Sequence, residues 1–341
     1  MPYVLKALHD LIPSDSNAFF WVDENDEITN ICAEKLLPPD VMRLYFREFY
    51  DYKVGGFHSI ITQTALRERR IDRANRDAGF YQSDYYNLVW REHLNAHHAM
   101  YAVIEDQGNR IGQLSLYRST QEKAFSEHDE NLLAQVTRYI AHGTAACPKT
   151  HAGATEFFDT PRMGLIILNA RGETQHLSGE GKRLLFLASH PTVSRQSLLT
   201  DEEDPLPSAL KQITRYLQSI FSGKSAPPPV WRIDNGWGRF VFRAFWLDAE
   251  RGSDGGLIGV TVQQQEPLPL KVLGKLQTMQ LPDRQKQVIL LLAGGASRPR
   301  IAEELNVKLN TVAYHVQQVY ERMEVHNHGE LLNVFLSPVE S

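Results

Sequence analysis

From Leu281 to Met323 the chain carries three helical signals in quick succession, each with its own start and stop. The first opens at Pro282, an N1-like position, runs through Val288, Ile289, Leu291 and Leu292, and stops at Gly294-Gly295. The second follows Ser297 as N-cap, has Pro299 in its first turn, carries Ile301, Ala302 and Leu305, and ends at Asn306. Val307, Lys308 and Leu309 connect it to the longest of the set, Asn310 to Met323. A short helix, a tight turn and a longer helix form the helix-turn-helix arrangement, which restricts this end of the chain to an all-α fold.

On the longest helix Val312, Val316, Val319 and Met323 recur at spacings of 4, 3 and 4, one apolar stripe for the core. The opposite face carries Thr311, Tyr314, Gln318 and Glu321, with Asn310 and Gln317 on its flank. Such donors and acceptors suit a duplex groove: Gln pairs bidentately with adenine, while Tyr, Thr and Asn reach phosphates or base edges. The formal net charge of -5 and a pI near 6.2 give no whole-chain electrostatic footprint for nucleic acid. Binding to DNA therefore has to sit on one local surface.

Leu281-Pro-Asp-Arg284, Leu291-Leu292-Ala293, Gly295, Ser297, Ile301-Ala302, Leu305, Thr311-Val312, His315-Val316 and Met323-Glu-Val325 together resemble a LuxR-type helix-turn-helix domain. The resemblance implies a bacterial transcriptional regulator whose helix beginning near Asn310 enters the major groove. It implies base-reading sites at Ala313, Tyr314 and Gln317, with Thr311 and His315 near the phosphate backbone. Gln318, Arg298 and Lys308 complete the expected DNA-binding set. Two positions depart from the family pattern: Ala313 stands where a basic residue often follows Thr-Val, and Lys308 stands where a small N-cap is frequent. Between Asp283 and Val325 six Lys or Arg face five Asp or Glu. A nearly neutral domain binds modestly as a monomer, because phosphate neutralisation supplies most nonspecific affinity. Pairing compensates, and Leu331, Leu332, Val334 and Phe335 are the expected dimerisation residues on a closing helix.

At 341 residues the chain is too long for one ordinary core, and breaks around Cys147 to Gly153 and Gln263 to Pro269 divide it. The expected domains are 1–147, 154–265, a linker at 266–278, and 279–341. In the first, Ala99–Glu105 and Arg110–Tyr117 flank Asp106-Gln107-Gly108-Asn109 as strand, turn and strand. Ser126 then caps a helix with Asp129 three residues on, and Leu132, Leu133, Val136 and Ile140 supply its apolar face. This run, 110–118 followed by Phe125-Ser126-Glu127-His128-Asp129, resembles the end of a GAF domain. In the second segment Gly164–Asn169, a turn at Ala170–Glu173, Thr174–Leu177, a helix at Leu184–Leu187, and a closing hairpin of Trp237–Leu247 with Gly256–Val262 resemble a PAS domain. The fold class expected is thus α+β multidomain, with GAF-like and PAS-like antiparallel-sheet sensor domains before an all-α end. Both families imply a ligand pocket, and the aromatics of the first domain, from Phe57 to Tyr101, offer Tyr85, Tyr86, Trp90 and Tyr101 as lining.

No Gly-x-Ser-x-Gly, kinase loop or Cys-x-x-Cys is present, so no catalytic residue and no cofactor is expected. His93, His97 and His98 have no accompanying metal-site pattern, and Gly179-Glu-Gly-Lys182 has His176 and Arg183 where a phosphate loop needs Gly and Ser or Thr. Cys32 and Cys147 read as reduced, buried thiols. No run approaches the roughly 18 apolar residues of a membrane span, and the start has no basic and apolar leader, so a cytoplasmic protein is expected. The expected partners are double-stranded DNA, a second copy of the chain, a small-molecule effector and RNA polymerase. The competing reading is an interaction scaffold or enzyme that uses the helical end to hold a partner.

Overall fold

The computed structural model describes residues 1–50, 71–73, 78–106, 108–145, 156–199, 206–247 and 256–336. Cys147, Phe57 and the break at 147–153 lie outside them. The chain divides into two compact units, 1–150 with 185–206, and 151–184 with 207–341.

The first unit is built on a five-stranded antiparallel sheet. Its strands are β1 (Ser16–Val22), β2 (Ile28–Ala33), β3 (Ile71–Asp72), β4 (His98–Asp106) and β5 (Asn109–Arg118), in the order β2-β1-β5-β4-β3. The β4–β5 hairpin turns at Gly108, whose φ of 85° only a residue without Cβ adopts freely. Alternation sends Phe19, Met100, Ala102, Leu114 and Leu116 to one face, where Leu5 and Leu8 of α1 (Pro2–Leu8) and Leu133 and Ile140 of α4 (Glu127–Ala145) bury them. Helix α4 begins as expected: Ser126 Oγ accepts from the Asp129 N–H at 3.2 Å and the Asp129 carboxylate accepts from the Ser126 N–H at 2.8 Å. That reciprocal pair is a capping box. Helix α1 is fastened by a polar cluster in which Asn17 Nδ2 donates to the Leu5 carbonyl at 3.0 Å. The Glu34 carboxylate accepts from the Asn17 N–H at 2.7 Å and lies 2.8 Å from His9 Nε2. Its hydrogen bond to Glu34 raises the His9 pKa above 6.5.

The opposite face of the same sheet lies under α2 (Pro39–Leu44), which continues as a π-helical stretch Tyr45–Phe49, and under a second π-helical stretch, Tyr86–Leu94, on which α3 (Ala78–Gln82) packs. Their widened turns are explicit in Tyr50 N–H to Tyr45 O at 2.8 Å, five residues apart. The second stretch ends at Asn95 with φ 51°, a left-handed residue that Asn tolerates. Residues 185–206 join this unit, and Val193 donates its N–H to Asn30 Oδ1 at 2.9 Å.

The second unit repeats the plan. Strands β6 (Phe157–Leu168), β7 (Thr174–Leu177), β8 (Val230–Asn235), β9 (Gly238–Leu247) and β10 (Leu257–Pro267) pair antiparallel in the order β7-β6-β10-β9-β8. Counted within each sheet, both orders are second, first, fifth, fourth, third. The two antiparallel sheets before an all-α end agree with the expected α+β multidomain class, and they share one strand order. Helices α5 (Gly179–Ser189), α6 (Arg195–Leu199) and α7 (Leu206–Phe221) fall between β7 and β8 in sequence. Gly179 and Gly181 open α5, where a Cβ on Gly164 would meet the Gly181 backbone and one on Gly181 would meet the Leu165 carbonyl.

β10 passes without a break into α8 (Leu268–Leu276), so residues 266–278, expected as a linker, are mostly helix. Pro267 is its N-cap and Pro269 sits in its first turn, positions where a missing N–H costs no helical bond. Leu268, Val272 and Leu276 are buried in the core of the helical end, and Phe158 from β6 packs on that same core. The remaining helices are α9 (Asp283–Ala293), α10 (Arg298–Glu304), α11 (Leu309–Arg322) and α12 (His328–Leu336).

Candidate nucleic-acid interface

Local chemistry sets the boundaries of the helical end. Pro282 is the N-cap of α9, Gly294 its C-cap, and Gly295 follows at φ 78°. Ser297 is the N-cap of α10, and Asn306 leaves it at φ 50°. Lys308 is the N-cap of α11 and makes no side-chain cap bond, so the first N–H groups of α11 remain open at the positive end of its dipole. Asn327 and Glu330 cap α12: Asn327 Oδ1 accepts from the Glu330 N–H at 2.9 Å, and Glu330 Oε2 accepts from the His326 N–H at 2.7 Å.

Val312, Val316 and Val319 are buried against α9 and α10. Each contributes about 1.5–3 kcal/mol of burial to holding α11 in place. With that stripe fixed inward, Ala313, Tyr314 and Gln317 are exposed, while Thr311, His315 and Gln318 are half-buried at the edges of the same outward face. Tyr314 is 59% exposed and its ring centroid lies 5.7 Å from that of His315. Glu321 holds both glutamines: Gln317 Nε2 donates to one carboxylate oxygen at 2.9 Å and Gln318 Nε2 to the other at 3.0 Å. The amides that could read a base edge are therefore engaged along the helix, under a negative charge. Arg298, the first residue of α10, and Lys308, the N-cap of α11, are exposed, whereas Arg300 pairs with Glu304 at 2.9 Å.

Two of the four residues expected for dimerisation lie inside the helical core. Leu331 and Phe335 are fully buried in the helical core, which they share with α8. Their apolar side is consumed inside one chain, leaving Leu332 and Val334 half-buried. Lys275 Nζ of α8 donates to the Val334 carbonyl at 2.7 Å, so α12 is tied down at its C-terminal end as well. Helix α8 was missed because its two prolines read as linker, although Leu268, Val272 and Leu276 already recur at a spacing of four.

The four aromatics expected to line a pocket separate in the first unit. Tyr85 and Trp90 face a cavity under the sheet. The Tyr86 hydroxyl bonds His97 Nδ1 at 2.7 Å and the Tyr101 side chain is fully buried. Among the described residues no group of three His, Cys, Asp or Glu is placed to hold a metal, and no helix is long and apolar enough to cross a membrane.

Residues 279–335 match the family of bacterial regulatory proteins called luxR, and this segment is a LuxR-type helix-turn-helix DNA-binding domain. No curated protein matches the chain in sequence. Among solved structures, the complex of Vibrio cholerae VqmA with ligand and DNA is 13% identical, covering 53% of this chain and 87% of that one, with a TM-score of 0.25. A phage VqmA–DPO complex is 15% identical, covering 61% and 93%, with a TM-score of 0.21. The sensor region of a sensor histidine kinase is 11% identical, covering 76% and 90%, with a TM-score of 0.19. At these TM-scores none of the three superpositions bears on the fold or the ligand.

Proposed function

We propose that this chain is a cytoplasmic, homodimeric transcriptional regulator that inserts α11 into the DNA major groove under the control of a small-molecule effector. The outward face of α11, anchored by its buried valines, carries this reading. Ala313, Tyr314, Gln317 and Gln318 face the base edges, while Thr311, His315, Arg298 and Lys308 meet phosphates. Gln317 and Gln318 exchange Glu321 for a base when the duplex docks. Pairing uses a surface other than Leu331 and Phe335 and aligns two half-sites. The absence of any linker between β10 and α8 supports direct coupling, because a shift of the second sheet moves the first helix of the DNA-binding core. The shared strand order of the two sheets supports a duplicated sensor module of the PAS-like kind, with the effector in the first unit and RNA polymerase as the downstream partner.

The test is fluorescence anisotropy of the full chain on fragments of the DNA upstream of its own gene, beside a Tyr314→Ala/Gln317→Ala double variant. Selective binding lost in a variant that keeps its fold and oligomeric state is the expected result. No selective binding by the unmodified chain on any fragment, with or without cell extract small molecules, refutes the reading.

A further inference from the structure

Helix α11 leaves apolar surface in the open at its first turn. Leu309, its first residue, is 49% exposed, although Val312, Val316 and Val319 of the same helix are buried. Ala313 is exposed one turn further on, and Gln317 is exposed one turn beyond that. Residues four apart lie one above the other on a helix, so Leu309, Ala313 and Gln317 form a single outward row of two hydrocarbon side chains and then an amide. A lone exposed leucine is ordinary on a protein surface. This one heads a row whose other two members face the base edges.

The residues that read guanine are missing from the same stretch. From Leu309 to Val319 α11 contains no Lys or Arg, and Arg322 stands in its last turn. At 1.5 Å per residue Arg322 is about 13.5 Å along the axis from Ala313. That is beyond the N-terminal residues that a recognition helix presents to base edges. Arg or Lys on guanine O6 and N7 is the commonest specific contact in the major groove, whereas an apolar side chain meets the C5-methyl of thymine and Gln pairs with adenine. Successive members of the row are about 6 Å apart, just under two base-pair steps.

We propose that the first turn of α11 recognises thymine by its methyl group, through Leu309 and Ala313, and that each operator half-site carries this thymine within about two base pairs of an adenine read by Gln317. The assignment rests on the reading of α11 as the helix that enters the major groove and adds the bases it selects. The full chain is first used to enrich binding sites from a randomised duplex, with the small molecules of a cell extract present. Each thymine of the enriched site is then replaced in turn by deoxyuridine, which removes the methyl and leaves the base pairing intact. At one thymine per half-site the replacement is expected to weaken binding roughly fourfold, the worth of one buried methyl group. In a Leu309→Ala/Ala313→Gly variant thymine and uracil are expected to bind equally at that position. Because the two bases are compared within one protein, any loss of helix stability from the glycine cancels. Ala313→Arg, an exposed substitution by a good helix former, is expected to enrich guanine where the unmodified chain enriches thymine. Equal affinity for thymine and uracil at every position, a ratio that survives in the double variant, or an unshifted selection by Ala313→Arg overturns the assignment and leaves the DNA-binding reading standing. Failure of the unmodified chain to enrich any sequence removes both.

Discussion

The number of phosphates this domain neutralises can be worked from its surface and read from the salt dependence of binding. Of the residues proposed to meet phosphates, the permanent cations are Arg298 and Lys308, both exposed, whereas Arg300 is engaged with Glu304. Two per chain make four in a dimer on two half-sites. With a slope of about -0.9 per neutralised phosphate, log K should fall with log salt at a slope of about -3.6. A fourfold rise in salt then weakens binding by roughly 150-fold. Lys308→Ala removes two of the four, so its slope should drop to about -1.8 and the same rise should cost only about 12-fold. Fluorescence anisotropy at several salt concentrations gives both slopes from one fragment. A slope that is unchanged in Lys308→Ala, or an unmodified slope twice as steep as stated, would refute the placement of the phosphate contacts around these two residues.

Three further outcomes follow from particular contacts. Glu321→Gln removes a carboxylate from the groove-facing side and leaves one acceptor oxygen where two held Gln317 and Gln318, so DNA affinity at low salt should rise about fivefold per half-site, the worth of one like-charge contact in a high dielectric; equal or weaker affinity in the same assay counts against that face entering the groove. Phe335→Ala opens a cavity in the helical core and should cost about 3–5 kcal/mol in denaturant unfolding. That loss should be independent of protein concentration, whereas a concentration-dependent loss would return Phe335 to the pairing surface. The raised pKa of His9 makes its pairing with Glu34 stabilising below pH 6.5 and progressively lost as pH rises through the folded-state value. Unfolding midpoints should therefore fall between pH 6 and 8 more for the unmodified chain than for Glu34→Gln, and parallel curves would show that the pair contributes nothing.

Wherever a signal is carried within a few residues, the chain can be read directly. The punctuation Pro282, Gly294-Gly295, Ser297 and Asn306 bounds α9 and α10 because caps and left-handed exits are local backbone events. The stripe Val312, Val316, Val319 settles which side of α11 is buried, and hence that Tyr314 and Gln317 point outward. The hairpins at Gly108 and Gly172 and the capping box at Ser126 are local in the same sense.

Elsewhere the outcome depends on partners distant in the chain. An apolar run such as Leu331 to Phe335 announces that it will be buried, but whether by its own chain or by a second copy depends on α8, some sixty residues earlier, whose prolines conceal its helical period. The likeness of the two sheets is a matter of strand order, which hydrogen-bond pairing over long separations sets and composition does not record. The engagement of both glutamines by Glu321 needs rotamers as well as spacing. The sequence by itself therefore determined that this chain ends in a helix-turn-helix and which face of it is outward, since caps and periodicity act at short range. Only the tertiary structure decided that Phe335 is core and that α8 joins sheet to DNA-binding domain, since both follow from which surfaces meet when distant segments pack.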